Sequence, residues 1–283
     1  MPKTTCVPHG VTLTSESRLL GVGSCDALTA GLIESMGFDL VWVGSFESST
    51  ARLIPDANLI TYTEVAENVR AVRARCRLPI FVDGDNGYGS DECAVRAAET
   101  FALAGADAFC IEDNAFPKRN SLYATSERTL ERPEVFARRI KELASMDSGL
   151  KIVARTEALV AGAGADEAVE RLNRYRDAGA DALFVQANSR HIDLLPDVVA
   201  RVRGTLPIIL APTAAPATPA DAFFGMGANV VLFANVVSRT VIQAVARMLA
   251  DLRRSPSLDS VRGHIADLDT VFRLTGAQDW NKA

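Results

Sequence analysis

Histidine is scarce in this chain, with three in 283 residues (His9, His191 and His264), and none pairs with another His or a Cys at ligand spacing. Zinc chemistry therefore fits badly. The five cysteines (Cys6, Cys25, Cys76, Cys93 and Cys110) are odd in number, scattered and without a CxxC pair, which argues against a disulfide framework and for reduced thiols in a cytoplasmic protein. No apolar stretch approaches the roughly 20 residues needed to span a bilayer. The N-terminus, MPKTTCVPHGVTLTSES, lacks the basic start, apolar run and small-residue cleavage site of a signal peptide. Basic clusters with interleaved aromatics are missing too, and 30 Lys plus Arg against 35 Asp plus Glu leave a net charge of −5. Neither nucleic acid nor an anionic membrane surface is an expected partner.

What is abundant is short apolar runs: LLGVGSC (19–25), DLVWVGSF (39–46), LPIFVDGD (78–85), DAFCIED (107–113), KIVARTEA (151–158), DALFVQAN (181–188), LPIILAPT (206–213) and NVVLFANV (229–236). Each has the length and composition of a buried parallel strand. Helical spacing lies between them, for example Ala165, Ala168, Val169, Leu172 and Tyr175 ahead of Gly179. MGFDL (36–40), AGADA (104–108), AGADA (178–182) and MGANV (226–230) repeat one joint, a glycine between a helix end and a strand start. About eight such modules predict an α/β fold, a closed (β/α)₈ TIM barrel, with a doubly wound sheet as the alternative. The dinucleotide-binding form of that alternative is disfavoured because no GxGxxG stands between a strand and a helix. The barrel is expected over residues 1–254. Ser255 and Pro256 break its last helix, and 255–283 then form a C-terminal helical extension whose apolar positions (Val261, Ile265, Leu268, Val271, Phe272) either reach a neighbouring subunit or pack under the chain's own barrel.

Active sites of such barrels lie at the C-terminal ends of the strands, and these ends are acidic: Asp83 and Asp85, Glu112 and Asp113, then Arg155 and Glu157, with Asp56 in the loop after the second strand. Converging carboxylates repel one another unless a cation intervenes, and a hard divalent ion, Mg²⁺ with Mn²⁺ as a substitute, suits oxygen donors. Residues 114–132 form a long polar connection, read as a lid. Its Lys118, Arg119 and Asn120, with Arg155, supply donors for a small anion. Backbone amides around Ser45 and Phe46 are further candidates for a carboxylate.

These residues lie in motifs that resemble the phosphoenolpyruvate mutase and isocitrate lyase superfamily, in its phosphonopyruvate branch. The motifs are CDALTAGLIESMGFDLVWVGSFESS, PDAN (55–58), DGDNGYG (83–89), IEDNAFPKRNSL (111–122), IVARTEALVAGAG (152–164) and APT (211–213). The resemblance implies a (β/α)₈ barrel that swaps its last helix between subunits of a homodimer or homotetramer and binds Mg²⁺ with a small anionic α-keto acid. By matching motif, Asp83 resembles the direct metal ligand, with Asp85 and Glu112 acting through metal-bound waters. Asp56 resembles the nucleophile or water-positioning aspartate, and Lys118, Asn120, Ser121 and Leu122 the gating loop. Arg155 matches the arginine that holds the phosphonyl group, and Ser45 and Phe46 fall at the substrate carboxylate site.

The chain also departs from the family pattern. DADTG(Y/F)G reads DGDNGYG, EDK reads EDN at Glu112–Asn114, Ser-Gly reads Gly44–Ser45, and the histidine at the end of strand six is Gln186, which keeps a donor but carries no proton or positive charge. The carbon–carbon lyases carry a K(K/R)CGH loop, whereas PKRNSL has no cysteine acid. The resemblance thus implies an enzyme that makes or breaks the carbon–phosphorus bond of phosphonopyruvate through a pyruvate enolate, with the mutase placed ahead of the hydrolase. A lyase or hydrolase of another α-keto or 2-hydroxy acid is the first alternative, and a non-catalytic metabolite-binding paralogue the second.

Overall fold

The computed structural model describes residues 13–120 and 129–277. Eight parallel strands close into a barrel in chain order: β1 (Leu19–Ser24), β2 (Leu40–Val43), β3 (Ile80–Asp83), β4 (Ala108–Glu112), β5 (Lys151–Thr156), β6 (Ala182–Val185), β7 (Ile208–Leu210) and β8 (Val230–Phe233), with β8 pairing back onto β1. Every apolar run supplies one strand, and the fold is the (β/α)₈ barrel. The strands are shorter than the runs because the last residues of each run leave the sheet and build its C-terminal rim. In DLVWVGSF, for instance, β2 stops at Val43 and a short helix, Ser45–Thr50, begins immediately. Helices such as Tyr62–Arg73, Asp91–Ala104 and Ala165–Asp177 alternate with the strands. Among the described residues no helix is long and apolar enough to cross a membrane.

The repeated joint does more than stop a helix. Gly105 and Gly179 have φ of 97° and 105°, the left-handed region where glycine carries no Cβ penalty. The acid or amide two residues later then ties neighbouring strands together. Asp39, Asp107 and Asp181 accept the backbone N–H of Leu20, Ile80 and Ile152 at 2.8 Å, and Asn229 accepts that of Ile208 at 2.9 Å. The backbone N–H of each of these four residues donates back to the carbonyl of the same partner residue, at 2.8–3.0 Å. The motif thereby sets the register of β1 to β2, β3 to β4, β5 to β6 and β7 to β8, at the N-terminal rim opposite the site.

Side chains alternate across each strand, and the inward set fills the barrel: Leu40 and Trp42, Phe81, Ala108 and Cys110, Val153, Ala182 and Phe184, Ile209, Val230 and Leu232, all buried. The outward set, including Val41, Val82, Ile111, Ala154 and Leu183, is equally buried beneath the helices. Both faces of the sheet are therefore apolar, as an all-parallel sheet requires.

The chain divides into two compact units, Met1–Asn235 and Val236–Ala283. The first ends at Asn235, and the helix Val236–Arg254 groups with the C-terminal segment. The reason lies in that helix's own packing: none of its residues is buried, Val241, Ile242, Val245 and Leu249 are exposed, and it packs with the 3₁₀ segment Leu258–His264. His264 Nε2 lies 3.1 Å from Asp251 within this unit. A last helix, Leu268–Thr275, exposes Leu268, Val271, Phe272 and Leu274.

The strand-tying acid yields a direct test. Asp107→Ala leaves the Ile80 N–H without its side-chain acceptor and removes the 2.5 Å ion pair with Arg73. Urea denaturation should show a loss of about 1–3 kcal/mol, the usual cost of orphaning a buried donor; an unchanged midpoint would show that the joint does not set the register.

Candidate active site

The alternation that fills the barrel also delivers the site. Two residues beyond Phe81 comes Asp83, beyond Cys110 comes Glu112, beyond Val153 comes Arg155 and beyond Phe184 comes Gln186, so a polar layer sits on the apolar one. These four residues, with Phe46 from the helix Ser45–Thr50 and Asp56, Lys118 and Asn120 from the loops, line one small cavity of about 70 Å³ whose apolar wall includes Trp42, Phe184 and Leu232. A cavity of that size suits a compact acid rather than a nucleotide-sized ligand. Asp113 falls on the other face. Its carboxylate accepts Thr156 Oγ1 (2.8 Å), the Glu157 N–H (2.8 Å) and the Tyr175 hydroxyl (2.7 Å) and pairs with Arg171 at 3.2 Å, so it braces β4 against β5 and leaves the convergent acidic set.

Lys118 is the hub of the remaining acids. Its buried ammonium lies 2.7 Å from Asp56 Oδ1, bonds Asp85, and donates to Ser45 Oγ at 2.8 Å. Ser45 Oγ in turn donates to Asp83 Oδ2 at 2.9 Å, with its backbone N–H 3.5 Å from the same oxygen. Ser45 thus turns toward a carboxylate of the chain itself. Asn120 donates its amide to the other oxygen of Asp56, whereas Arg119 between them is exposed. Asn58 orders both sides: its amide donates to Asp85 at 2.9 Å and its carbonyl oxygen accepts the Lys118 N–H at 2.5 Å. Both Asn58 and Asp85 adopt left-handed backbone, φ 57° and 52°, the kind of local strain that clusters at functional sites. Burial raises the Asp85 carboxyl to about 6 against the opposing pull of Lys118. Burial lowers the Lys118 ammonium while Asp85, Asp56, Glu112 and Asp83 together lift it well above its ordinary value.

Arg155 is held on the opposite charge pattern. Its Nε lies 2.7 Å from Glu157 Oε1 and 3.2 Å from Glu112 Oε2, its other nitrogen reaches Glu157 Oε1 at 2.5 Å, and the guanidinium sits 5.0 Å above the Phe184 ring. Glu112 also accepts the Asn114 amide at 2.9 Å, so the asparagine of EDN orients the acid beside it. Burial pushes Glu112 up to about 8, with Arg155 opposing and Glu157 adding to the rise. Gln186 is buried in the lining, and among the described residues its amide makes a long 3.4 Å contact to the Ala187 carbonyl.

The donor set bears on the metal expected from the sequence. Asp83 and Glu112 present carboxylate oxygens to the cavity, whose described lining has no His or Cys, and this chemistry fits a hard cation such as Mg²⁺. Asp85 is covered by Lys118 and Asn58 and reaches the cavity through them. Among the described residues no three His, Cys, Asp or Glu side chains converge into a complete cage, so an ion here would keep water in its coordination shell. Ser121 and Leu122 lie outside the described residues. The loop that carries them is closed at its base by the Asn114–Leu130 bridge and by the Ala115 N–H to Thr129 carbonyl bond at 2.9 Å. Sequence reasoning did not single out Glu47, Asn58 or Asn114; the PDAN and EDN motifs held the signal for the last two.

Comparison with known proteins agrees with this geometry. The family model described as phosphoenolpyruvate phosphomutase matches residues 13–253. The phosphoenolpyruvate phosphomutase of Tetrahymena pyriformis is 32% identical over 91% of this chain and 87% of its own length. The phosphonopyruvate hydrolase of Variovorax sp. (strain Pal2) is 32% identical over 88% of this chain and 87% of its own. A crystal structure of phosphonopyruvate hydrolase in complex with oxalate and Mg²⁺ superposes with a TM-score of 0.85 at 29% identity, covering 93% of this chain and 92% of that one.

The ion pairs make Lys118 the residue on which the stability of the metal-free site depends. In metal-free protein, Lys118→Met should cost about 3–5 kcal/mol, the range for removing one partner of a buried pair. A carboxyl whose pKa is higher folded than unfolded binds its proton on folding, so stability rises as pH falls through the folded value. With Asp85 already at about 6 beside Lys118, urea denaturation should recover part of the loss between pH 8 and pH 5. A loss below about 0.5 kcal/mol at pH 8 would contradict the hub.

Proposed function

The chain belongs to the phosphoenolpyruvate phosphomutase family, and from that premise we propose that it is a Mg²⁺-dependent enzyme, active also with Mn²⁺, that makes or breaks the carbon–phosphorus bond of phosphonopyruvate through a pyruvate enolate. One observation carries the reading: a single small cavity joins the oxygen-only pair Asp83 and Glu112 to Arg155, Asn120 and Lys118. When bound there, the divalent ion would supply Lewis-acid stabilisation of negative charge on the pyruvyl oxygens.

The chain's own residues do the rest. Arg155, fixed by Glu157 and the Phe184 ring, offers a partly buried cation to the phosphonyl oxygens. Asp56 is paired with Lys118 and oriented by Asn120, as a nucleophile toward phosphorus or a base for water would need to be. Because Lys118 and Asn120 come from the loop after β4, the loop's docking is what brings both groups to Asp56. Gln186 hydrogen-bonds without charge where the family usually carries a histidine. A lost charge-assisted hydrogen bond of about 1.5–3 kcal/mol would weaken a dianionic ligand, which favours a second reading with another α-keto or 2-hydroxy acid as substrate.

We further propose a homodimer or homotetramer, because the apolar residues Val241, Ile242, Val245 and Leu249 of helix Val236–Arg254 and Val271 and Phe272 of the last helix are exposed in the single chain. Light scattering should report at least a dimer; a stable monomer at micromolar concentration would remove the idea.

Phosphorus NMR of phosphonopyruvate with protein and Mg²⁺ should show phosphoenolpyruvate, or phosphate with pyruvate if water reaches phosphorus near Asp56. Chelation and Asp83→Ala should each abolish the conversion, the latter together with metal binding. Consumption of oxaloacetate or a 2-hydroxy diacid with no product from phosphonopyruvate would select the second reading.

A further inference from the structure

Glu47 lies within the site without any role in the proposed reaction so far. It is the third residue of helix Ser45–Thr50, is 1% exposed, and lines the same cavity as Asp83, Asp56 and Gln186. Its carboxyl occupies space that two glycines leave open: a Cβ on Gly23 would stand 1.9 Å from Oε1, and one on Gly44 would stand 1.9 Å from Oε2. The chain has thus cleared the ends of β1 and β2 for this one group. Oε1 accepts the Asn235 N–H at 2.7 Å, just beyond β8, and the residue's own backbone N–H also bonds the carboxyl. Among the described residues no Lys or Arg pairs with it.

We propose that Glu47 is the proton donor to C3 of the enolate formed in this cavity. The assignment rests on the enolate chemistry of the proposed function. In the forward step the carbon–phosphorus bond breaks, its electron pair stays on the pyruvyl fragment as the enolate, and the phosphoryl group passes to water or Asp56. The enolate then takes the Glu47 carboxyl proton at C3 to give the methyl group of pyruvate, and the Glu47 carboxylate is reprotonated from water before the next turnover. While the phosphoryl group is held on Asp56, an enolate that has not been protonated can instead take it onto its oxygen, with the Asp56 carboxylate as leaving group, which gives phosphoenolpyruvate. Glu47 therefore sets the balance between hydrolytic and isomerised product.

In the metal-free chain the surroundings favour the protonated acid. The charged groups that face it are Asp83 at the end of β3 and Asp56 in the loop after β2, with the Cys25 thiol beside β1. Burial first, with the two aspartates adding to it, pushes Glu47 up to about 7 even though the backbone N–H groups of Asn235 and of Glu47 itself pull the other way.

The test uses pyruvate, so that it does not depend on phosphonopyruvate being the substrate. In D₂O with Mg²⁺, proton NMR should show wild-type protein exchanging the methyl protons of pyruvate above the metal-only blank. Glu47→Gln keeps an acceptor for the Asn235 N–H and should lose at least tenfold in exchange rate while oxalate affinity is retained. Given phosphonopyruvate, the same variant should shift product toward phosphoenolpyruvate. In metal-free protein, wild type should lose stability relative to Glu47→Gln as pH rises from 5 to 8, because a carboxyl that keeps its proton in the fold resists ionisation there. If Glu47→Gln does not fold, Glu47→Asp, with its carboxyl withdrawn by one methylene, should show the same loss of exchange. Exchange that is indifferent to these substitutions, wild-type exchange no faster than the blank, or a constant stability difference across pH would overturn the assignment. Glu47-dependent pyruvate exchange in a protein that leaves phosphonopyruvate untouched would support it while removing the carbon–phosphorus reading.

Discussion

Buried carboxylates at the ends of adjacent strands repel one another, and the site is organised around containing that repulsion. Asp83, Asp85, Glu112 and Glu157 come from β3, β4 and β5 or the residues just past them, and Asp56 joins from a loop, all nearly excluded from solvent. In such surroundings ionised groups interact far more strongly than in water, and the raised values at Asp85 and Glu112 register the cost. Two cations share the acids between them. Lys118 serves Asp56 and Asp85 and reaches Asp83 through Ser45, while Arg155 serves Glu112 and Glu157. One cation belongs to the barrel and the other to a loop, so the acid charge that Lys118 offsets is offset only when that loop is docked.

The barrel makes this arrangement attainable by separating its roles along the strand axis. At the N-terminal rim, Asp39, Asp107, Asp181 and Asn229 tie strands in pairs; in the middle, alternating apolar residues fill the interior; at the C-terminal rim the same alternation turns polar. Stability is concentrated at one end and chemistry at the other. Strain is tolerated at the second end, where Asn58, Asp85 and Asn235 take left-handed backbone, because the first end fixes the register independently.

Much of this was legible in the chain. Short apolar runs of strand length, separated by helical spacing and glycine joints, carry the barrel because buried parallel strands leave few other options. Asp83, Glu112, Arg155 and Gln186 were legible for the same reason, since each extends an inward-facing stripe by one step. Asp113 was not, because a residue directly after Glu112 in the sequence looks adjacent in function, while the pleat turns it to the other face. The strand-tying acids were hidden because an aspartate beside glycine reads as a turn former whatever its partner. Glu47 was hidden more deeply: a glutamate in a short helix is ordinarily solvated, and only the Gly23 and Gly44 gaps show that it is enclosed. Helix Val236–Arg254 has an amphipathic pattern like that of a barrel helix, while its apolar side chains stay exposed in the single chain.

On the proposed reading, Asp83 and Glu112 hold a divalent cation that a small dianion completes, with Lys118 and Arg155 offsetting part of the acid charge around it. Calorimetric titration of oxalate, a planar mimic of pyruvate enolate, measures this most directly. Oxalate should bind with Mg²⁺ present, lose at least tenfold in affinity on chelation, and fail to bind Asp83→Ala at any Mg²⁺ concentration. Equal binding with and without the metal, or undiminished binding to Asp83→Ala, would contradict it.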